Sequence, residues 1–284
     1  MPAEFQTGTL YIVGTPIGNL EDITFRAVRI LASVDAIAAE DTRRTGKLLK
    51  HLQIYTAQIS YHDHNRWSRI PVLLERLQQG QTIALVTDAG MPGISDPGYE
   101  LVKSCVEANI PIIPIPGPSA VITALSAAGL PTEQFVFEGF LPSKGSSRRD
   151  RLSALQFEPR TLVFYEAPHR LRKTLQDLAD TLSPQRPITL ARELTKLHEE
   201  FWRGTLEDAI AHYTTQNPQG EFTLVVGGAQ PTQLTLSEAD LKTELKHLLQ
   251  QGLSRSQASR QLAQQTSLSR QQIYQLALTI NPEA

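Results

Sequence analysis

Cysteine is almost missing from this chain: Cys105 stands alone among 284 residues, which excludes an internal disulfide framework and any zinc cluster built on cysteine. A reducing compartment is expected. No apolar run approaches the length of a membrane span, and the opening Met1-Pro2-Ala3-Glu4-Phe5-Gln6-Thr7-Gly8 lacks the basic-then-apolar pattern of a secretory signal. A cytoplasmic protein without a membrane partner is the expectation. An excess of either charge is absent too: 27 Lys and Arg oppose 29 Asp and Glu, a net charge of −2. Only local basic clusters can therefore speak for a polyanionic partner. Neither Gly-x-Gly-x-x-Gly nor Gly-Lys-Ser/Thr occurs, which removes the two glycine-rich phosphate fingerprints.

What is present is a set of loops built from glycine and proline. Thr82-Ile83-Ala84-Leu85-Val86 runs into Thr87-Asp88-Ala89-Gly90-Met91-Pro92-Gly93-Ile94-Ser95-Asp96-Pro97-Gly98, with three glycines and two prolines. Glycine permits close approach, proline fixes φ, and such a loop behind a strand suits a small molecule held by backbone groups. Similar loops follow strand 9–13 (Gly14-Thr15-Pro16-Ile17-Gly18-Asn19-Leu20) and strand 112–115 (Pro116-Gly117-Pro118-Ser119-Ala120). Helices at 23–33, 66–79, 99–108 and 119–128 alternate with strands at 9–13, 36–39, 82–87 and 112–115, which predicts a largely parallel α/β sheet. From Leu130 strand more often follows strand: 135–137, 161–165, 188–192, 199–203 and 222–226, with helices at 147–156 and 170–181, predict a mixed sheet. Two different sheets imply a cleft between them.

The length fits about two domains and a small appendage. The expected division is 7–117 for a first α/β domain, 118–229 for a second that closes the cleft, and 235–284 for a helical module behind a Gly/Gln/Thr-rich linker. In that tail Leu241, Leu245, Leu248 and Leu249 recur at helical spacing, Ser254 can cap a second helix, and Ser267-Leu268-Ser269 turns into a third. The pattern resembles a helix-turn-helix, and a plain packing appendage fits it equally.

Several residues could carry chemistry. Glu40 and Asp41, followed by Arg43 and Arg44, end a short strand; they orient a ligand or satisfy one another at a solvated edge. His62 and His64 flank Asp63 in a polar loop, too few ligands for zinc, so no metal is expected. Glu166 and His169 stand where a strand meets a helix, as acid/base groups or as helix-end partners. Lys144, Arg148, Arg149 and Arg151 form one basic group, Arg43 and Arg44 with Lys47 and Lys50 another, and Arg255, Arg260 and Arg270 decorate the tail. Each is a solvated face or part of a polyanion track.

The ordered motifs Gly14–Leu20, Ala39-Glu40-Asp41-Thr42-Arg43, Asp88–Gly98, Pro116–Ala120, Glu166-Ala167-Pro168-His169-Arg170 and Ala191-Arg192-Glu193-Leu194-Thr195-Lys196 together resemble the ribosomal small subunit methyltransferase I family, within the tetrapyrrole-methylase-like superfamily. The resemblance spans about residues 7–228, and the tail is similar to that family's helical extension. It implies a two-domain class III methyltransferase fold, S-adenosyl-L-methionine as cofactor, a homodimer, and 2′-O-methylation of a cytidine in the decoding region of 16S ribosomal RNA, free or in the assembled small subunit. By this resemblance Pro16, Asp88, Gly90, Met91, Pro92, Gly93, Ile94, Ser95, Ser119 and Ala120 contact the cofactor, with Tyr165, Glu166, Leu194 and Phe222 closing around its adenine. Met91 stands where the superfamily's loop often carries Asp. Deprotonation of a ribose hydroxyl calls for a base, and Glu40, His62, Glu166, Glu193 and Lys196 remain open for that role. The alternatives are a relative acting on a tetrapyrrole or a protein side chain, and a non-catalytic RNA-binding protein.

Overall fold

The computed structural model describes residues 7–230, 237–266 and 268–280. The chain divides into two compact units, Met1–Gly228 and Ala229–Ala284. The first contains two five-stranded sheets. One is built from β1 (Leu10–Val13), β2 (Ala36–Ala39), β3 (Gln58–Ser60), β4 (Ile83–Val86) and β5 (Ile112–Ile115), in the order β3-β2-β4-β1-β5. All its pairings are parallel. Side chains alternate across a strand, so every inner strand must be apolar on both faces. Tyr11 and Val13 pack with Ile30 and Leu31 of α1 (Phe25–Ser33) and Leu49 of α2 (Thr42–His51). Leu10 and Ile12 face the other way, onto Leu73 and Leu77 of α3 (Arg66–Gln78) and Leu101 and Cys105 of α4 (Tyr99–Glu107).

This arrangement creates a crevice. The chain leaves β1 through α1 toward β2 on one face, and leaves β4 through α4 toward β5 on the other, although β1 and β4 are adjacent. Connections that part to opposite faces open a gap at the carboxyl ends of the strands, where open α/β sheets hold ligands. The loops after β1 and β4 meet there: Thr15 and Gly90 exchange backbone hydrogen bonds of 2.9 and 3.0 Å, and the Thr15 hydroxyl donates to the Thr87 carbonyl at 3.0 Å.

The second sheet runs β6 (Phe135–Phe140), β7 (Thr161–Glu166), β10 (Phe222–Val226), β8 (Pro187–Arg192), β9 (Glu200–Thr205). Only β6 and β7 are parallel, so the expected mixed sheet is present. One face is covered by α6 (Ser146–Leu155), α7 (Pro168–Leu182) and α8 (Leu206–Thr215), through Leu152, Leu155, Leu171, Leu175, Leu206 and Ala209. The opposite face receives Val121, Ala124 and Leu125 of α5 (Ala120–Ala127), which pack on Val163, Ala191 and Val225. Helix α5 therefore follows the last strand of the first sheet and packs on the second.

Three elements lie outside the sequence expectations. Helix α2 begins where only a charged strand end was expected: Asp41 caps it by accepting from the Arg43 amide at 2.8 Å, and its buried face is only Thr45, Leu48 and Leu49. Strand β3 is a three-residue edge strand, nowhere fully buried, and α8 is set by a Thr205–Asp208 capping box. Such short elements carry too few apolar positions for a periodic signal.

The C-terminal unit consists of α9 (Glu238–Gln250), α10 (Arg255–Gln265) and α11 (Arg270–Leu278). Ser237, Ser254 and Ser269 cap them. Leu241, Leu245, Leu248, Ala258, Leu262, Ile273 and Ala277 form a core of their own. The expected linker falls partly outside the described residues, at 231–236, as does Ser267.

Candidate active site

The loops behind β1, β4 and β5 and the strand ends of the second sheet enclose a cavity of about 420 Å³, within the range of small-molecule sites. Ile17, Gly90, Met91, Ile94, Ser95 and Asp96 form one wall; Ser119 and Ala120 open α5 beside it; Tyr165, Glu166, Ala191, Leu194, Phe222 and Thr223 come from the second sheet. Phe140, Lys196 and Glu221 complete the rim. Most of the expected cofactor set is thus brought together. Pro16, Asp88, Pro92 and Gly93 belong to the same loops and do not line the cavity.

Gly14 and Gly18 serve contacts between loops. A Cβ on Gly14 would stand 2.7 Å from Gly117 Cα and 2.6 Å from Met91 Sδ, so the β1 and β5 loops cross backbone to backbone. A Cβ on Gly18 would come within 2.8 Å of the Leu194 carbonyl, and the neighbouring Asn19 amide donates to the Thr195 hydroxyl at 3.0 Å. These contacts clamp the first half of the unit against the second, leaving the cavity between them.

Electrostatics differ sharply along the wall. At the carboxyl end of the first sheet, the Asp88 amide donates to Glu40 at 3.2 Å, the Asp41 amide to Asp88 at 3.2 Å, and Arg44 pairs with Asp88 at 3.2 Å. Burial, with the charges of Asp88 and Asp63, pushes the Glu40 carboxyl above its ordinary range. Asp96, absent from the sequence-based candidates, is pushed to about 7 by burial and by Glu40, Asp88 and Asp63. Its only signal in the sequence is position, one residue past Ser95 in the Gly/Pro loop; its spacing suggested no partner.

The candidate bases separate accordingly. Glu166 lines the cavity, but its carboxylate accepts from the Ala167 amide at 2.9 Å and from the Thr174 hydroxyl at 2.5 Å, and it pairs with Arg170 at 3.2 Å. It anchors the start of α7 and is not a free base. Lys196 donates to Glu193 at 2.9 Å and Glu221 at 2.8 Å. Burial alone would lower it, but these hydrogen bonds outweigh burial and hold it above its ordinary value; a lysine so protonated does not accept a proton. Burial would likewise raise Glu193, yet the Glu221 amide and Lys196 bring it below the usual carboxylate range. Glu40 and His62 stand outside the cavity lining.

The basic residues sort by burial. Arg148 corrects its expected RNA role: it is 4% exposed and donates to Asp177 at 2.7 Å, the Thr174 hydroxyl at 2.9 Å and the Pro142 carbonyl at 3.0 Å. Helix α6 needs a buried residue at that position, and the network satisfies its charge. Lys144 and Arg149 are exposed. Exposed Arg151 pairs with Glu138, whose side chain is buried, and Arg43 pairs with Asp41 at the surface. In the C-terminal unit Arg255 donates to the Ile280 carbonyl at 3.2 Å and Arg270 to Ser256 at 2.8 Å.

A family model described as Tetrapyrrole (Corrin/Porphyrin) Methylases matches residues 9–210. A Synechocystis sp. protein named Ribosomal RNA small subunit methyltransferase I is 59% identical over 97% of this chain and 99% of its own length. The chain belongs to the ribosomal RNA small subunit methyltransferase I family. The family's Escherichia coli protein is 47% identical over 97% of this chain and 96% of its own. Among solved structures, the uroporphyrin-III C-methyltransferase of Thermus thermophilus complexed with S-adenosylhomocysteine shares the fold, with a TM-score of 0.56 and 18% identity over 76% of this chain and 96% of that one. As a methyltransferase of this family the chain uses S-adenosylmethionine. Its cavity suits that cofactor in size, and apolar and aromatic walls beside a carboxylate-rich sheet end favour a cationic sulfonium.

Proposed function

We propose that this methyltransferase acts on the ribose 2′-oxygen of a cytidine in the decoding region of 16S ribosomal RNA, working as a homodimer. The observation that carries the reading is identity of 59% with a full-length relative named for ribosomal RNA of the small subunit, in a chain whose cavity fits the methyl donor. The ribose oxygen and the cytidine are what the family resemblance carried by the ordered motifs implies. Met91, Ile94, Ser95, Ser119 and Ala120 would hold the amino-acid and ribose parts of the cofactor; Tyr165, Leu194 and Phe222 would close on its adenine.

The bound cofactor supplies an activated methyl carbon. The protein's part is to hold the acceptor oxygen in line with it and to keep water out, and positioning of this kind contributes ~7–11 kcal/mol. Lys144 and Arg149 are exposed cations for RNA phosphates. Arg43 and Arg44 lie in exposed ion pairs that solvent and salt screen, so these cations are open to exchange for phosphate; Arg151 is held by the buried carboxylate of Glu138.

The test is to incubate the protein with labelled S-adenosylmethionine and small subunits from an undermodified strain, then digest the RNA to nucleosides. Label is expected in 2′-O-methylcytidine. Label confined to a base-methylated nucleoside, or none in RNA, overturns the reading.

A further inference from the structure

We propose that Asp96 is the catalytic residue that takes the proton from the acceptor hydroxyl, an inference that rests on the ribose-oxygen reading above. Asp96 follows the Met91–Ser95 wall and lines the cavity. Four other ionisable side chains line it. Glu166 is engaged by Thr174, Arg170 and the Ala167 amide; Lys196 and Glu221 are paired with each other. The Tyr165 phenol is raised, first by burial and then by the charge of Asp96, so it stays protonated. Among the described residues no hydrogen bond or ion pair occupies the Asp96 carboxylate. Burial, and then the charges of Glu40, Asp88 and Asp63, pushes it up to about 7. A base works best when its pKa lies near the working pH.

The step balances without a further reagent. The 2′-oxygen forms a bond to the methyl carbon, the carbon–sulfur bond breaks with its electron pair going to sulfur, and the hydroxyl proton passes to Asp96. Asp96 is partly exposed and returns that proton to solvent.

The test uses the full chain with Asp96→Asn and Asp96→Glu. At saturating cofactor and small subunit, Asp96→Asn is expected to lower kcat by ~10²–10⁴-fold. It should also abolish an acid limb of the wild-type kcat profile, whose midpoint is no higher than about 7. Calorimetric affinity for S-adenosylhomocysteine should change by less than about threefold, and Asp96→Glu should recover part of the rate. A readout independent of turnover is thermal melting of the free protein. The folded-state pKa is raised, so the folded protein holds a proton that the unfolded chain has lost. Wild type therefore loses stability relative to Asp96→Asn as pH rises from about 4 to about 7, and the gap stays constant above that. Retention of the acid limb, or a rate loss recovered fully by more cofactor, overturns the inference; the second result makes Asp96 a cofactor ligand. If wild type itself transfers no methyl to ribose, the underlying functional reading fails instead.

Discussion

Four arginines and lysines in one short segment, Lys144, Arg148, Arg149 and Arg151, have the same formal charge and different physical situations. Arg148 sits inside the second half, linking Asp177 to Thr174 and through it to Glu166. Truncating it leaves Asp177 without its counter-ion and Thr174 without a donor. Arg148→Ala is therefore expected to lower stability by ~3 kcal/mol, seen as a shifted urea midpoint with an unchanged slope. Arg149→Ala, at an exposed position, should leave the midpoint alone and reduce the salt dependence of RNA binding by about one contact. Were the two variants to behave alike in both assays, burial would not be what separates them. Charge is visible in a sequence; the direction in which a side chain points off a helix of ten residues is not.

At the scale of elements, the loops behind β1, β4 and β5 form one assembly. Their glycines permit backbone crossings, above all Gly14 against Gly117. A methyl group at either position meets backbone at 2.7 Å, which no side-chain rotation relieves. Gly14→Ala and Gly117→Ala should each cost ~1–3 kcal/mol through overpacking. Because a Cβ on Gly14 also meets Met91 Sδ at 2.6 Å, and the loop of Gly117 leads into Ser119 and Ala120, cofactor affinity should fall with stability. Calorimetry with S-adenosylhomocysteine and a thermal melt on the same samples check this; a variant with wild-type values in both would show that the crossing tolerates a methyl. Gly93 was expected to let a ligand close to the backbone, yet it does not line the cavity, and its neighbour in space is Gly98.

At the scale of the whole molecule, each unit has its own core. Met1–Gly228 holds both sheets, and Ala229–Ala284 packs three capped helices around an apolar core that includes Leu241, Leu245, Leu262 and Ile273. A chain ending at Gln230 is expected to fold and to bind S-adenosylhomocysteine normally, while requiring a much higher concentration of small subunits for half-maximal methylation. Loss of a recognition module acts on KM, whereas loss of a catalytic group depresses kcat at saturation. An unchanged KM, or loss of cofactor binding, would make the tail idle or part of the structural core of the enzyme.

The class of fold, the places where strands open into ligand loops, and the family were legible in the residues themselves. They depend on local matters: alternation of apolar runs, glycine and proline at strand ends, and the order of six motifs. Helix α2, edge strand β3 and α8 were not legible, because their stability comes from caps and from neighbours rather than from a periodic stripe. The site divides in the same way. Met91, Ser95, Tyr165, Leu194 and Phe222 could be expected at the cleft from the family resemblance, and all five line the cavity. The different situations of Glu166, Arg148 and Asp96 could not, since they depend on partners up to 29 residues away or on carboxylates carried by other strands and loops. A sequence states which groups can ionise; folding decides which are desolvated, which are paired, and which one is left open to the cavity.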